Sequence, residues 1–195
     1  MTRLVLASGN PGKLREMRAL LAPLGREVIS QAELGIAETE EPHDTFLENA
    51  LAKARHASRA SGLPALADDS GLCVDALGGA PGVHSAYFAG REGSREERDA
   101  RNNAKLLASL GENRQAHYRC VMALVRSAED PEPLIAEGAW HGSIARAPRG
   151  ANGFGYDPLF LVAKRGLTAA ELPEEEKNRI SHRARAAARL LAALR

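Results

Sequence analysis

The chain has 195 residues, 44% hydrophobic and 26% charged, with 26 Lys and Arg against 25 Asp and Glu for a net charge of +1. That length suits one domain, 1–195, with a well-buried core, and the composition excludes a disordered or fibrous chain. Balanced charge excludes the broad cationic face that a nucleic acid polymer needs, so any anion must be met by a local pocket. Cys73 and Cys120 are the only cysteines, sit in apolar company and offer no zinc spacing, which suits a reducing compartment. The apolar run Leu4 to Ala7 is too short for a leader, and nothing reaches membrane-spanning length. The expectation is a cytoplasmic protein without a membrane partner.

Leu4 to Ala7 reads as a buried strand. Ser8-Gly9-Asn10-Pro11-Gly12-Lys13 follows, and Leu14, Met17, Leu20 and Leu21 then recur at helical spacing. A strand, a glycine-rich turn and a helix can cradle phosphate on backbone N–H groups, with Lys13 adding charge. The same residues also suit a tight turn with a solvated lysine. The loop is not a Walker A motif, because Leu14 stands where Ser or Thr would hold magnesium, and Gly-x-Gly-x-x-Gly is absent.

Glu27 to Ile29 predicts a second strand, followed by acidic Glu38, Glu40 and Glu41 and then Pro42. A helix is predicted from Asp44, as its N-cap, to Ser61, with Gly62 closing it and Pro64 preventing its extension. Phe46, Ala50, Lys53 and Ala57 fall within an arc of about 60°, which puts Lys53 on the apolar stripe. Its ammonium points at the core or a cleft, unless the stem packs and the head reaches water. Asn49 flanks the same stripe.

Strand-like Ala65 to Ala67 then delivers Asp68-Asp69-Ser70-Gly71, and Leu72 to Ala76 leads away. Adjacent carboxylates among apolar residues call for cations, donors or raised pKa values; the alternative is an ordinary Asp-Ser-Gly turn. Gly78 to Gly82 is a loop, with Tyr87 and Phe88 beyond it, and a helix from Arg95 to Ser109 is expected to bury Ala104, Leu107 and Ala108. Ala116 to Val125 and Pro133 to Ile144 alternate as neighbouring antiparallel strands. In the loop Arg149 to Pro158, glycines on both sides of Phe154 leave a ring face open for stacking on a planar ligand, or the ring plugs the core. Leu159 to Val162 reads as the last strand, before helical turns at Thr168 to Leu172 and Glu174 to Arg179 and a final helix capped by Ser181. Lys177, Arg179, His182 and Arg183 crowd that helix's N-terminus, where cations oppose the dipole, which suggests an anionic or acceptor-rich ligand; a solvated basic face is the alternative.

A glycine-lysine loop, acidic Glu41, Lys53 on a stripe, the Asp68/Asp69 pair and a late aromatic-basic cluster are together satisfied by a nucleoside triphosphate with Mg2+. No Ser-His-Asp or Cys-His pattern competes. Ser8-Gly9-Asn10-x-Gly12-Lys13, Thr45-Phe46-x-Glu48-Asn49-Ala50-x-x-Lys53-Ala54, Ala67 to Leu72, Gly78 to Gly82, Gly153 to Pro158 and Ser181-His182-Arg183 are similar, in order and spacing, to the signature blocks of the XTP/dITP diphosphatase family, the inosine triphosphate pyrophosphatases.

The resemblance spans nearly the whole chain. It implies an elongated α/β fold, with a mixed β-sheet flanked by helices and two lobes around a central substrate cleft, in a homodimer. The implied reaction is Mg2+-dependent hydrolysis of XTP, ITP or dITP to monophosphate and pyrophosphate. By motif, Ser8, Gly9, Asn10, Pro11, Gly12, Lys13 and Lys53 would meet the phosphates, and Glu41 and Asp69 the metal. Asp69 would take the proton of the attacking water, Asp68 would support it, and Ser70 would touch substrate. Phe154, Gly155, Tyr156 and Asp157 would line the base and sugar site; Lys177, His182 and Arg183 would reach the base, where donors favour a 6-oxo purine. One departure is Glu41-Pro42-His43-Asp44, where the family more often has a small residue near position 43. Two other readings stand beside this one: a nucleotide sensor without turnover, and a septum-inhibitor-like relative, which is not expected to carry the Phe154 and Ser181-His182-Arg183 blocks.

Overall fold

The computed structural model describes residues 3–194. Its first strand, β1 (Arg3–Leu6), lies parallel to β2 (Glu27–Ser30) and to β3 (Ala65–Val74). Parallel neighbours need a crossover, and helix α1 (Pro11–Leu21) and helix α2 (Phe46–Ser61) lie between the paired strands in sequence. β4 (Gln115–Val125), β5 (Leu134–Ile144) and β6 (Phe160–Val162) complete a six-stranded sheet in the order β2-β1-β3-β4-β5-β6. β5 and β6 run antiparallel, so the sheet is mixed, as expected. Helices α3 (Arg95–Ala108), α4 (Glu174–Ile180) and α5 (His182–Ala193) are the remaining α-helices among the described residues, and short 3-10 turns join several elements.

Two compact units are formed. The first holds the chain through Asp69, Cys120–Gly138 and the stretch from His182; the second holds Ser70–Arg119 and Ala139–Ser181. In the first unit, strand alternation sorts the core onto two faces. Leu4, Leu6 and Leu66 pack with Met17 and Leu21 of α1 and Leu190 of α5. Val5, Ala7, Ala65 and Ala67 pack with Ala50, Ala54 and Ala57 of α2, small residues on both sides. The second unit is aromatic: Phe160 lies 4.7 Å from Tyr118 and 5.0 Å from Trp140 between ring centroids, joined by Leu72, Val74 and Leu172.

Three sequence expectations change. Thr45, not Asp44, caps α2: Thr45 Oγ1 accepts from the Glu48 N–H at 3.2 Å, and a cap belongs to whichever residue adopts extended backbone just before the helix. The Asp68-Asp69-Ser70-Gly71 stretch is no turn, because β3 runs through it unbroken. Gly71 is needed for closeness instead: a Cβ there would stand 2.1 Å from Gly82 O and 2.5 Å from Ser85 Oγ. Finally, α3 buries Asn102 and Leu106, while Ala104 and Ala108 are exposed. Apolar spacing overlooks Asn102 because its burial is secured by hydrogen bonds: it accepts from Ala89 N–H at 2.7 Å and donates to Ser85 O and Ala86 O, both at 3.2 Å.

Candidate active site

The loop after β1 is organised by its own side chains. Asn10 Oδ1 accepts from Lys13 N–H at 3.1 Å as the N-cap of α1, Pro11 opens the helix, and Asn10 N–H donates to Ser8 Oγ at 3.3 Å. Gly9 is close-packed: a Cβ there would meet the Glu38 carboxylate at 2.0 Å. Lys13 extends from the first turn to within 3.3 Å of Asp68 Oδ2. The sequence therefore brings a helix N-terminus and an ammonium to one end of β1, the local arrangement that receives phosphate.

On the facing side of β3, Lys53 behaves as its place on the α2 stripe predicts. It is largely buried and its Nζ pairs with Asp69 Oδ1 at 3.2 Å and with the Glu41 carboxylate. Asn49, buried one turn earlier, donates to Asp69 Oδ2 at 3.4 Å. The Asn49 amide also donates to His43 O at 3.0 Å and accepts from His43 N–H at 3.1 Å. Residue 43 is thus held by its backbone while its side chain is exposed, which explains how a histidine is accommodated there. Burial raises the Asp69 pKa against the pull of Lys53 and Lys13. Burial also works against the charge on Lys53, yet Asp69, Glu41 and Asp68 hold its pKa above the ordinary lysine value. The result is a carboxylate made more basic beside a firmly protonated ammonium.

Asp68 has different company. Its side chain is completely buried, and Oδ2 takes both Lys13 and Arg183 Nε at 3.3 Å. Arg183 Nη1 reaches Glu16 Oε2 at 2.9 Å. Of the cations crowded at the N-terminus of α5, Arg183 therefore meets Asp68 and Glu16, and Lys177 meets Asp157. Glu16 was not among the expected residues; the signal for it is that, at about 100° per residue, it lies about 40° from Leu20, at the edge of the α1 stripe.

In the second unit, Phe154 stands between Gly153 and Gly155, which adopt φ of +76° and +63°. Two cations flank its ring, Arg95 at 4.7 Å and Lys177 at 4.9 Å from the centroid. Tyr156 and Asp157 turn into the core. Tyr156 OH donates to Ser85 O at 2.8 Å; buried Asp157 accepts from Phe154 N–H at 2.9 Å, Lys177 Nζ at 2.8 Å and Tyr118 OH at 3.2 Å. Ser70 is half-buried on β3, and His182 is buried at the start of α5.

The expected site residues thus fall into two groups, and the unit boundary cuts two of the blocks, between Asp69 and Ser70 and between Ser181 and His182. Ser8 to Lys13, Glu41, Lys53, Asp68, Asp69 and Arg183 lie together in the first unit, as does His182; Ser70, Phe154, Gly155, Tyr156, Asp157 and Lys177 belong to the second. Asp99 and Asn103, which bind Gly155, were missed because polar residues on a polar helix carry no periodic signal.

Among the described residues, no group of three or more His, Cys, Asp and Glu is arranged to hold a metal. The pair Glu41 and Asp69, drawn to one ammonium, nonetheless supplies carboxylate oxygens at one place. That donor set suits Mg2+, which takes one or two carboxylates and completes its shell from water and phosphate.

A mixed-sheet α/β protein with a capped glycine-lysine loop and a buried lysine between carboxylates is the class these features define. The chain belongs to the Ham1 family, whose model matches residues 4–193. It is similar to the dITP/XTP pyrophosphatases of Ralstonia nicotianae, at 62% identity over 197 residues covering 100% of this chain and 98% of the relative, and of Burkholderia pseudomallei, at 63% over 195 residues covering 99% and 93%. Among solved structures, a HAM1 protein from Coxiella burnetii superposes with a TM-score of 0.90 at 49% identity, covering 100% of this chain and 98% of the other. The Ham1 protein of Staphylococcus aureus follows with 0.85 at 39%, covering 98% and 97%.

Proposed function

We propose that this chain is a nucleoside triphosphate pyrophosphatase that hydrolyses the deaminated purine nucleotides XTP, ITP and dITP to monophosphate and pyrophosphate. The observation that carries the reading is Lys53 held between Asp69 and Glu41, with Lys13 and the capped loop Ser8 to Lys13 in the same unit. Relatives named dITP/XTP pyrophosphatase at 62% and 63% identity support the substrate class.

Phosphoryl chemistry asks chiefly for positioning and charge neutralisation. In this reading the α1 N-terminus, Lys13 and Lys53 bind the phosphate oxygens, and Asp69, its basicity raised by burial, takes the proton from the attacking water. Asn49 fixes the carboxylate's orientation through its bond to Oδ2. Glu41 and Asp69 would hold Mg2+, which when bound polarises phosphoryl oxygens as a Lewis acid. Phe154 stacks on the purine, and Lys177, His182 and Arg183 are assigned to recognition of the base. Asp68 supports the site by anchoring Lys13 and Arg183.

The same reading takes residues 1–195 as one functional domain, a homodimer in the cytoplasm, where Cys73 and Cys120 stay as free thiols. Support for one domain is that β3, β4 and β5 each contribute residues to both units. No helix among the described residues is long and apolar enough to cross a membrane. The deciding assay supplies Mg2+ with ITP, XTP, dITP, GTP or ATP and separates the products. Pyrophosphate and the monophosphate are expected from the deaminated purines; orthophosphate as the product, or ATP cleaved as fast as ITP, would overturn the reading. Omitting the metal tests its requirement, and light scattering tests the dimer.

A further inference from the structure

Helix α3 carries Arg95, Asp99 and Asn103 four residues apart, and all three converge on the loop that presents Phe154. Asp99 Oδ2 accepts from Gly155 N–H at 2.9 Å, and Asn103 Nδ2 donates to Gly155 O at 2.9 Å. One side of one helix thereby takes both backbone polar groups of a single residue. The guanidinium of Arg95 lies 4.7 Å from the Phe154 centroid, and Arg95 Nε is 3.9 Å from Asp99 Oδ2. Positions i, i+4 and i+8 follow one flank of a helix, so a rigid rod spaces these three contacts.

The loop needs such a device. Gly153 and Gly155, at φ +76° and +63°, give the backbone on either side of Phe154 the greatest conformational freedom that any residue allows. Asp157 holds Phe154 N–H from within the loop, but both polar groups of Gly155 are held from outside it. A ring that must stack on a planar ligand gains affinity when its pose is set beforehand, because the ordering cost is already met.

We propose that Asp99 and Asn103 are positioning residues for purine recognition, clamping Gly155 so that Phe154 is presented in one pose. This rests on the reading above in which Phe154 stacks on the base. Neither residue touches substrate in that reading, so the effect falls on binding. A residue that acts on binding alone raises KM and leaves kcat in place.

The test compares wild type with Asp99→Ala, Asp99→Asn and Asn103→Ala by steady-state ITP hydrolysis and by hydrogen exchange of the peptide covering residues 153–156. Loss of the acceptor, which leaves Gly155 N–H without its partner on α3, predicts a KM increase of about tenfold in Asp99→Ala, and faster exchange by a similar factor. The kcat should stay within about twofold. Asp99→Asn keeps an acceptor oxygen and should restore both readouts, whereas Asn103→Ala should repeat the loss from the carbonyl side. Unchanged exchange and KM in Asp99→Ala overturn the proposal, as does a fall in kcat with KM unmoved. Failure of Asp99→Asn to restore either readout also overturns it, since the role would then be one of charge. If wild type releases no pyrophosphate from ITP, the functional reading falls with the purine role, and exchange alone decides whether the clamp exists.

Discussion

Asp68 and Asp69 are adjacent on β3 yet carry their carboxylates to opposite faces of the strand. Asp68 is bound by Lys13 and Arg183, each at 3.3 Å, and Asp69 is bound by Lys53 at 3.2 Å. Period-two alternation divides them: even-numbered Leu66 packs with α1 and α5, odd-numbered Ala65 and Ala67 with α2. Adjacent acids thus become one anchored and one basic carboxylate, each with its own cations.

Asp69→Asn separates chemistry from stability. Removing a general base should lower turnover by about 10²–10⁴-fold with the fold intact. Because burial raises the Asp69 pKa above 3.8 in the folded chain, the ionised group costs stability at neutral pH. The variant should therefore melt higher than wild type at pH 7. That gap should close as pH falls below the ordinary carboxylate range, where Asp69 is protonated folded and unfolded alike. A near-normal rate removes Asp69 from its role, and a lower melting temperature at pH 7 contradicts the desolvation argument.

Arg183→Met leaves Asp68 and Glu16 buried without their shared guanidinium. Burial opposes the charge on Arg183, but Asp68 and Glu16 hold its pKa above the usual arginine value. Breaking such a group from one side should cost about 3–5 kcal/mol in denaturant unfolding. Adding Glu16→Gln should recover part of the loss by removing one stranded charge. A loss below about 1 kcal/mol, the range of exposed pairs, would show that the trio is solvated.

His117 predicts a pH dependence of opposite sign to that of Asp69, and of the same sign as a carboxylate whose pKa is lowered by folding. Burial first and the neighbouring His141 second, at 5.2 Å between rings, lower its pKa from 6.5 in the folded state. The unfolded chain takes up the proton earlier, so stability is present above pH 6.5 and is lost as pH falls through the lowered folded value. Melting curves between pH 7.5 and about 5 should slope less in His117→Gln than in wild type. Parallel slopes would refute the assignment.

Gly71→Ala places a Cβ against the Gly82 carbonyl, backbone that cannot swing aside. Overpacking of this kind costs about 1–3 kcal/mol. Chemical denaturation measures it, and a variant as stable as wild type would mean that the Gly82 turn yields freely.

Much of the fold was legible because its elements carry local signals. Gly62, at φ +68° and donating to Ser58 O, closes α2 where the Gly-x-Pro pattern placed the end. Lys53 could be aimed correctly because four residues on one arc define a face, whatever they face. Phe154 was legible as a candidate ring, but its two flanking cations, Arg95 and Lys177, lie 59 and 23 positions away (154 − 95 and 177 − 154). The glycines at 153 and 155 announced a special backbone and gave no indication of what holds it.

The sequence by itself determined most of the strand and helix segments, the glycine-lysine turn at Ser8 to Lys13 and the apolar stripe that carries Lys53. Each follows from backbone preference and side-chain period within a turn or two. Only the tertiary structure decided the electrostatic partners. Arg183 meets Asp68 across 115 positions and Glu16 across 167, and no local rule specifies such a meeting. Asp68-Asp69-Ser70-Gly71 shows the division most plainly: four residues with the chemistry of a turn run as a strand, because packing on both faces outweighs a local preference worth at most about 1 kcal/mol per residue.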